Sequence, residues 1–191
     1  DTAALSFTEC RIPLDHVLGS AEIADTEAAR KKAFGGVMQT FDNTRPMVAA
    51  MALGVARAAL EITMETLEKE GVKADFSKSP YNSNAIELEL YRLEADLDAA
   101  RLMTYKAAWM ADNGQANSKE ASMCKAKAGR MGNDVTLKCV ALCGELGYSE
   151  RYLLEKLARD SKIIDIFEGT QQIQQLIVAR HLLGLSSREL K

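Results

Sequence analysis

Three long segments of this chain repeat small or apolar residues every three or four positions, and this periodicity limits the fold more than any other feature. The third segment shows it most clearly, on a face formed by Ala121, Cys124, Ala128, Met131, Val135, Cys139 and Leu142. The other two faces consist of Ile86, Leu90, Leu93, Leu97, Ala100, Tyr105 and Ala107, and of Val48, Met51, Val55, Ala59 and Ile62. Such spacing places the apolar side chains along one side of an α-helix, so each segment predicts an amphipathic helix.

Glycine, proline and polar stretches mark where these helices should end. The first long helix is predicted to begin near Thr44, with Pro46 in its first turn, and to end near Gly71. Before it, residues 26–41 predict a short helix that Gly35 and Gly36 weaken. The second long helix should close at the sequence DNGQAN, and the third around residues 144–147.

Two shorter helices are expected in the C-terminal part of the chain. They cover about residues 150–159 and 170–183, and Ile173, Leu176 and Ile177 of the last one should face inward. Short polar connections between long helices favour antiparallel neighbours. We therefore predict an antiparallel four-helix-type bundle, and each long helix should keep a second apolar strip that suits contact with another subunit.

Only the beginning of the chain has a β pattern. In TAALSFTE, residues 2–9, Leu5 and Phe7 alternate with Ser6 and Thr8, the period of a half-buried strand. Residues 11–19 then indicate an exit loop with a turn at the final glycine, Gly19. A single strand needs partners, so the rest of its sheet is expected in missing sequence or in another chain. The predicted fold is all-α over residues 20–191, preceded over residues 1–19 by one strand of a largely missing β domain.

Composition and charge narrow the possible partners. The net charge of −3 gives no large basic field, so neither nucleic acid nor an anionic membrane is expected as a partner. No segment is judged apolar enough to span a bilayer, and no signal peptide is visible. The chain begins at Asp1, which suggests a fragment or a processed product.

The cysteines and histidines argue against a metal site. No cysteines form a CxxC pair, and neither His16 nor His181 follows a glutamate by three residues, as carboxylate-bridged iron sites require. Cys124, Cys139 and Cys143 fall on or beside an apolar helical face. Packed, reduced thiols are therefore predicted, as in a cytosol-like compartment.

A single carboxylate, Glu168, follows an apolar run and precedes a glycine and a threonine. One interpretation is structural: an acid in the first turn of a helix, favoured by the helix dipole, with Thr170 as the cap. The other is catalytic, because a glutamate beside Ile166 and Phe167 would be partly desolvated, as suits a general base. Gly169 would leave space for a substrate to approach the backbone.

The stretch DSKIIDIFEGTQQIQQLIVAR, residues 160–180, resembles the C-terminal signature of the acyl-CoA dehydrogenases. Residues 5–19, LSFTECRIPLDHVLG, are similar to the strand and loop that leave that family's middle β domain. Residues 41–61, FDNTRPMVAAMALGVARAALE, are similar to the start of its C-terminal helical domain. Only residues 21–32 are atypical. The resemblance implies that this chain is the C-terminal part of a larger enzyme.

The resemblance also implies a mechanism. Glu168 would remove the α-proton of an acyl-CoA thioester while a hydride leaves the β-carbon for N5 of FAD, which gives a trans-2-enoyl-CoA. The backbone N–H of Glu168, together with a flavin hydroxyl, would hold the thioester oxygen. An electron-transfer flavoprotein would accept the electrons, and the enzyme would be a homo- or hetero-tetramer in the bacterial cytoplasm or the mitochondrial matrix.

Five further residues match positions to which the family gives a role. Asp42, Arg45 and Gly169 would lie at the substrate, and Thr170 and Gln172 would contact FAD bound to the same chain. All but Gly169 also have a simpler interpretation. Asp42 could cap a helix and pair with Arg45 on the surface, Thr170 could cap the last helix, and Gln172 could be an exposed polar residue.

The positions through which the family reaches a neighbouring subunit's FAD depart from the family pattern. Lys73 stands where an arginine is expected, Ser77 and Ala141 replace a glycine and a glutamine, and Glu145 replaces a second glycine. Ser83 and Asn84 occupy the positions of a His-Gln pair. Lysine lacks the bidentate fork that suits a pyrophosphate. These losses suggest a hetero-oligomer whose second chain supplies the missing contacts, while a divergent homotetramer is the alternative.

Two other functions stay open at this point. An acyl-CoA oxidase on the same fold would pass its electrons to oxygen. A non-catalytic or half-site assembly subunit would need no base, although Glu168, Gly169 and Thr170 are all retained.

Overall fold

The structure, a computed structural model, describes residues 3–17 and 26–190. Its helices are α1 (Glu27–Lys69), α2 (Ala85–Asp112), α3 (Ser118–Leu142), α4 (Leu154–Ile164) and α5 (Gln171–Leu183). Short 3-10 turns cover Leu14–His16, Pro80–Asn82 and Gly144–Leu146. The chain divides into two compact units, Asp1–Val37 and Met38–Lys191.

In the second unit, α3 is the central helix and packs against α2, α4 and α5. The core is rich in alanine and leucine, with Ala52, Ala56, Leu93, Leu97 and Ala128 almost completely buried. Small residues let α1 approach α3 closely, since a Cβ added at Gly132 would lie 3.3 Å from the Cβ of Ala52. The prediction of an all-α helical fold is confirmed.

The predicted helices agree with the structure for α2, α3 and α5 and differ elsewhere. The two helices expected over residues 26–41 and from Thr44 are one continuous helix, α1, with Pro46 inside it. Proline removes one intrahelical hydrogen bond, and burial of Pro46, Val48 and Ala49 in the core offsets that cost. The helix expected over residues 150–159 is α4, which begins only at Leu154, because turns occupy residues 149–153.

The strand predicted over residues 2–9 is wrong for the part that the structure describes. Residues 3–13 form no strand, and their side chains are exposed. A strand is stable only when a neighbouring strand satisfies its backbone groups, and these residues have no such neighbour here. The turn predicted at Gly19 lies outside the described residues. The domain boundary after residue 19 stays a prediction.

The expectation that no segment is apolar enough to span a bilayer is wrong for α1. That helix contains a window of 18 residues with a mean hydropathy of 1.5, of which 44% is buried inside the bundle. By length and composition the helix could cross a membrane, and the core helix of a soluble protein passes the same test.

Candidate active site

Glu168 lies in the connection between α4 and α5, on a backbone conformation that few side chains adopt. Its φ is +58° and that of Gly169 is +93°, so two consecutive residues are left-handed. The left-handed region costs a non-glycine residue roughly 1–2 kcal/mol. Thr170 follows as the N-cap of α5, and its hydroxyl accepts the N–H of Ile173 at 3.5 Å. The connection is therefore a tight turn that places Glu168 two residues before the N-cap of α5.

The carboxylate of Glu168 is half-buried and has a polar neighbour from the far end of the sequence. The hydroxyl of Thr44, on α1, donates a hydrogen bond of 2.8 Å to Oε2 of Glu168. Phe167, the preceding residue, packs against the hydrophobic core, while Ile166 is 45% exposed. Of the two apolar neighbours expected beside the acid, only Phe167 is therefore part of the core.

Two completely buried polar side chains hold the backbone of the turn. Nε2 of Gln174, on α5, donates to the carbonyl oxygens of Glu168 at 3.0 Å and of Gly169 at 3.1 Å. Nζ of Lys125, on α3, donates to the carbonyl oxygen of Gly169 at 2.7 Å. The prediction that Ile173 faces inward is wrong, since Ile173 is 48% exposed and the next residue, Gln174, is buried instead. The turn offers carbonyls that an amide can satisfy and isoleucine cannot.

Arg45 and Asp42 form an ion pair of 2.5 Å within α1. The pairing interpretation is therefore confirmed, but the pair is not on the surface, because the Arg45 side chain is only 4% exposed and that of Asp42 18%. Nη1 of Arg45 also donates to Ser122 on α3 at 3.5 Å, and its Nε has no partner in the structure. Asp42 caps no helix, since it lies inside α1.

Buried charge surrounds the turn. Burial strips water from the ammonium of Lys125 and lowers its pKa, and the positive charge of Arg45 lowers it further. The negative charges of Asp165 and Glu168 oppose that change. Asp165 is 6% exposed, and its Oδ1 has no partner in the structure. The ammonium of Lys125 therefore interacts with two acids, Asp165 at the end of α4 and Glu168 in the turn.

The residues matched to FAD lie at the N-terminal end of α5. Thr170 forms the cap, as its structural interpretation predicts, and Gln172 is exposed in the first turn. Oε1 of Gln171 is buried without a partner. A helix N-terminus presents free N–H groups that bind anions such as a pyrophosphate. These residues therefore fit a dinucleotide, although their own contacts here are structural.

The positions matched to a neighbour's FAD are occupied by contacts within the chain. Lys73 pairs with Glu68 at 2.8 Å, and the Asn84 side chain caps α2 in a capping box with Glu87. Ser77 donates to Asp75, while Glu145 is exposed. The side-chain oxygen of Asn84 is therefore already engaged, since it accepts the N–H of Glu87 at 2.9 Å.

Sequence reasoning missed three residues of the site: Thr44, Lys125 and Gln174. For Lys125 a signal exists, because positions three and four away on α3 are Ala121, Ser122, Ala128 and Gly129. A lysine surrounded by such small residues lies on the close-packed face of its helix and not on the solvated one. Thr44 and Gln174 carry no comparable local signal.

Known proteins of one family match most of this chain. Residues 34–183 match the family described as acyl-CoA dehydrogenase, C-terminal domain. The mitochondrial short-chain specific acyl-CoA dehydrogenase of Bos taurus is 35% identical over 182 residues, which are 95% of this chain and 41% of the bovine protein.

Two solved structures have the same fold. Butyryl-CoA dehydrogenase from Megasphaera elsdenii superimposes with a TM-score of 0.70 at 34% identity, over 80% of this chain and 39% of that chain. A chain in a structure of the electron transferring flavoprotein of Acidaminococcus fermentans, concerned with flavin-based electron bifurcation, gives 0.69 at 32% identity, over 77% and 38%. This chain belongs to the acyl-CoA dehydrogenase family, and it spans about two-fifths of the length of these relatives.

Proposed function

We propose that this chain is the C-terminal helical part of an FAD-dependent acyl-CoA dehydrogenase, in which Glu168 is the base. The observation that carries the proposal is the turn itself. A half-buried carboxylate is held on a left-handed backbone by side chains from α1, α3 and α5. Such preorganisation has a cost in stability, and it is typical of groups whose direction matters for a reaction. Residues 1–19 would then be the tail of the middle β domain.

The proposed reaction begins when a Glu168 oxygen accepts the α-proton of the acyl-CoA thioester. Charge then builds on the thioester oxygen, which the backbone N–H of Glu168 is proposed to bind. When bound, FAD supplies the acceptor for the β-hydride, so two electrons leave the substrate and a trans-2-enoyl-CoA results. Thr170 and Gln172 would hold the cofactor at the N-terminus of α5. Gly169 has no side chain, and a Cβ there would lie 2.5 Å from Nε2 of Gln174, so the glycine lets that amide reach the turn beside the proposed base.

Arg45 and Asp42 have a supporting role in this proposal. The guanidinium of Arg45 is paired with Asp42, so the two side chains together are nearly neutral, and we propose that they contact the bound acyl-CoA. A depression of about 420 Å³ lies beside Asp42, lined also by Gln39, Asn43 and residues 114–118. It offers polar groups to the amide-rich arm of coenzyme A.

The proposed partners follow from the family. An electron-transfer flavoprotein would take the electrons, and the enzyme would work in the bacterial cytoplasm or the mitochondrial matrix. Subunit association is supported by large apolar side chains exposed on α2, where Leu102, Tyr105 and Trp109 are 68%, 63% and 56% accessible. The family resemblance supplies the subunit number, and we propose a homo- or hetero-tetramer.

Replacement of the base tests the proposal. In the full-length enzyme, Glu168→Gln keeps the shape of the side chain and removes its ability to accept a proton, so turnover should fall by about 10²- to 10⁴-fold. Glu150→Gln, the same change at an exposed position, should leave turnover unchanged. Full turnover by a complex whose copies of this chain all carry Glu168→Gln, measured with an artificial electron acceptor, would leave this chain only the non-catalytic assembly role.

A half-site subunit in a hetero-oligomer is the second candidate. It is favoured by the capping box that engages Asn84 and by the negative charge of Glu145 where an anionic dinucleotide would approach. The native complex should then contain fewer flavins than chains. One FAD per chain in a pure homotetramer would refute this second candidate and leave the proposed dehydrogenase unaffected.

A further inference from the structure

The turn that carries Glu168 cannot hold its shape by local preference alone. Glu168 has a φ of +58°. It precedes the first residue of α5, Gln171, so the backbone hydrogen bonds of that helix do not hold it in this conformation. An L-residue gives up the left-handed region readily unless its surroundings stabilise it. The groups that stabilise the turn therefore also determine where the carboxylate points.

Those groups are the ammonium of Lys125 and the side-chain amide of Gln174. Together they place three hydrogen bonds on two consecutive carbonyl oxygens, with distances between 2.7 and 3.1 Å. Both side chains have no exposed surface. They come from different helices, α3 and α5, so the turn is fixed from two directions.

Packing of α3 against α5 does not by itself explain either buried group. A lysine buried away from water is costly, and the pKa of Lys125 is lowered for that reason. Oε1 of Gln174 has no partner in the structure, which adds a further penalty. A core that served only to pack α3 against α5 would be more stable with apolar residues at both positions.

We infer that Lys125 and Gln174 are positioning residues, which hold the Glu168–Gly169 backbone so that the Glu168 carboxylate meets the α-proton of the substrate. This inference rests on the proposed function. It assigns the two residues a role in kcat and little role in substrate affinity, because their contacts are with the turn. A displacement of about 1 Å in a catalytic group lowers turnover by up to about 10²-fold.

The test uses isosteric replacements in the full-length enzyme. Lys125→Met and Gln174→Met remove the donors at nearly constant volume. Lys138→Met and Gln175→Met make the same changes at exposed positions of the same two helices and serve as controls. Each variant is assayed for kcat, KM, unfolding midpoint and exchange of the substrate's α-deuterium with water, all per folded chain.

We expect kcat and α-deuterium exchange to fall by about 10- to 100-fold in both buried variants, with KM changed by less than about threefold. The controls should stay within about twofold of the parent. Wild-type kcat per folded chain in the buried variants, beside an inactive Glu168→Gln, would overturn the inference. An active Glu168→Gln would instead overturn the proposed function. If Lys125→Met does not fold, Gln174→Met decides, since it also removes an unpartnered buried oxygen.

Discussion

The hydroxyl of Thr44 donates to Oε2 of Glu168 across 124 positions of sequence, at a distance of 2.8 Å. This contact joins the long helix α1 to the turn between α4 and α5. This hydrogen bond holds the side-chain carboxylate of Glu168, whereas Gln174 holds the backbone carbonyl of the same residue. Since Arg45 follows Thr44 directly, α1 brings both a hydrogen-bond donor and a buried cation to the site.

Removal of that hydroxyl should affect turnover. Thr44→Val keeps the shape of the side chain but leaves Oε2 of Glu168 without its donor, so we expect kcat to fall about fivefold, the equivalent of about 1 kcal/mol. Thr44→Ser keeps the hydroxyl and should retain most of the activity. Steady-state kinetics of the two variants provide the measurement, and equal kcat values in both would contradict a role for the contact.

Gly169→Ala should disturb the site more than the same change at another left-handed glycine. A Cβ at Gly169 would lie 2.5 Å from Nε2 of Gln174, whereas one at Gly71, where φ is +84°, would meet nothing within 4 Å. Gly71→Ala should therefore cost only the conformational strain, about 1 kcal/mol. Gly169→Ala should cost more and should abolish most turnover. Denaturant unfolding and activity of both variants test this, and similar behaviour would argue against the close contact.

Gly147→Ala should destabilise the bundle through steric overlap alone. Its φ is −63°, which alanine adopts without strain. An added Cβ, however, would lie 2.2 Å from the carbonyl oxygen of Val140, and a backbone atom cannot easily move to relieve this overlap. We expect a loss of about 3 kcal/mol in the free energy of unfolding.

Gly54→Ala serves as the matched change, in the interior of α1 with nothing within 4 Å of the new Cβ. It should stabilise the protein by about 0.5–1 kcal/mol, because alanine loses less backbone entropy than glycine in a helix. The two changes should have opposite signs in urea unfolding. A stabilising Gly147→Ala would show that the α3 end packs differently.

The buried thiols should resist modification in the folded protein. Burial raises the pKa of Cys124 to about 12 and that of Cys139 to about 11. Their reactive thiolate is therefore scarce at pH 8, while Cys10 is exposed. Alkylation at pH 8, located by mass spectrometry, should label Cys124 and Cys139 only after unfolding. Rapid labelling of either in the native state would contradict their burial.

The same thiols should make stability depend on pH in the alkaline range. Because the folded pKa lies above the unfolded value of 9.0, the folded state holds more protons between about pH 9 and 12. Their contribution is complete below pH 9 and is lost as the pH rises through that window. Replacing Cys124 with alanine should reduce the alkaline loss, as measured by urea unfolding at pH 8 and 10.

Local pattern was enough to locate most of the helices and the loop that carries Glu168. The apolar faces of α2 and α3 repeat every three or four residues, and this regularity is a property of neighbouring positions alone. Likewise, Thr170 is the N-cap of α5, as the sequence predicts, and Glu168 lies two residues before it. The strand over residues 2–9 was predicted by the same kind of pattern and is not formed in residues 3–13, because a strand depends on a neighbour that periodicity cannot supply.

Only the tertiary structure decided which polar residues surround the base. Lys125 and Gln174 contact Gly169 of the turn across 44 and 5 positions of sequence. Both side chains are buried, although their polarity alone would favour exposure to water. Their burial depends on whether a partner carbonyl happens to face them, which follows from how α3, α5 and the turn pack together. The continuity of α1 through Pro46 was decided in the same way, because core packing outweighs a lost backbone hydrogen bond.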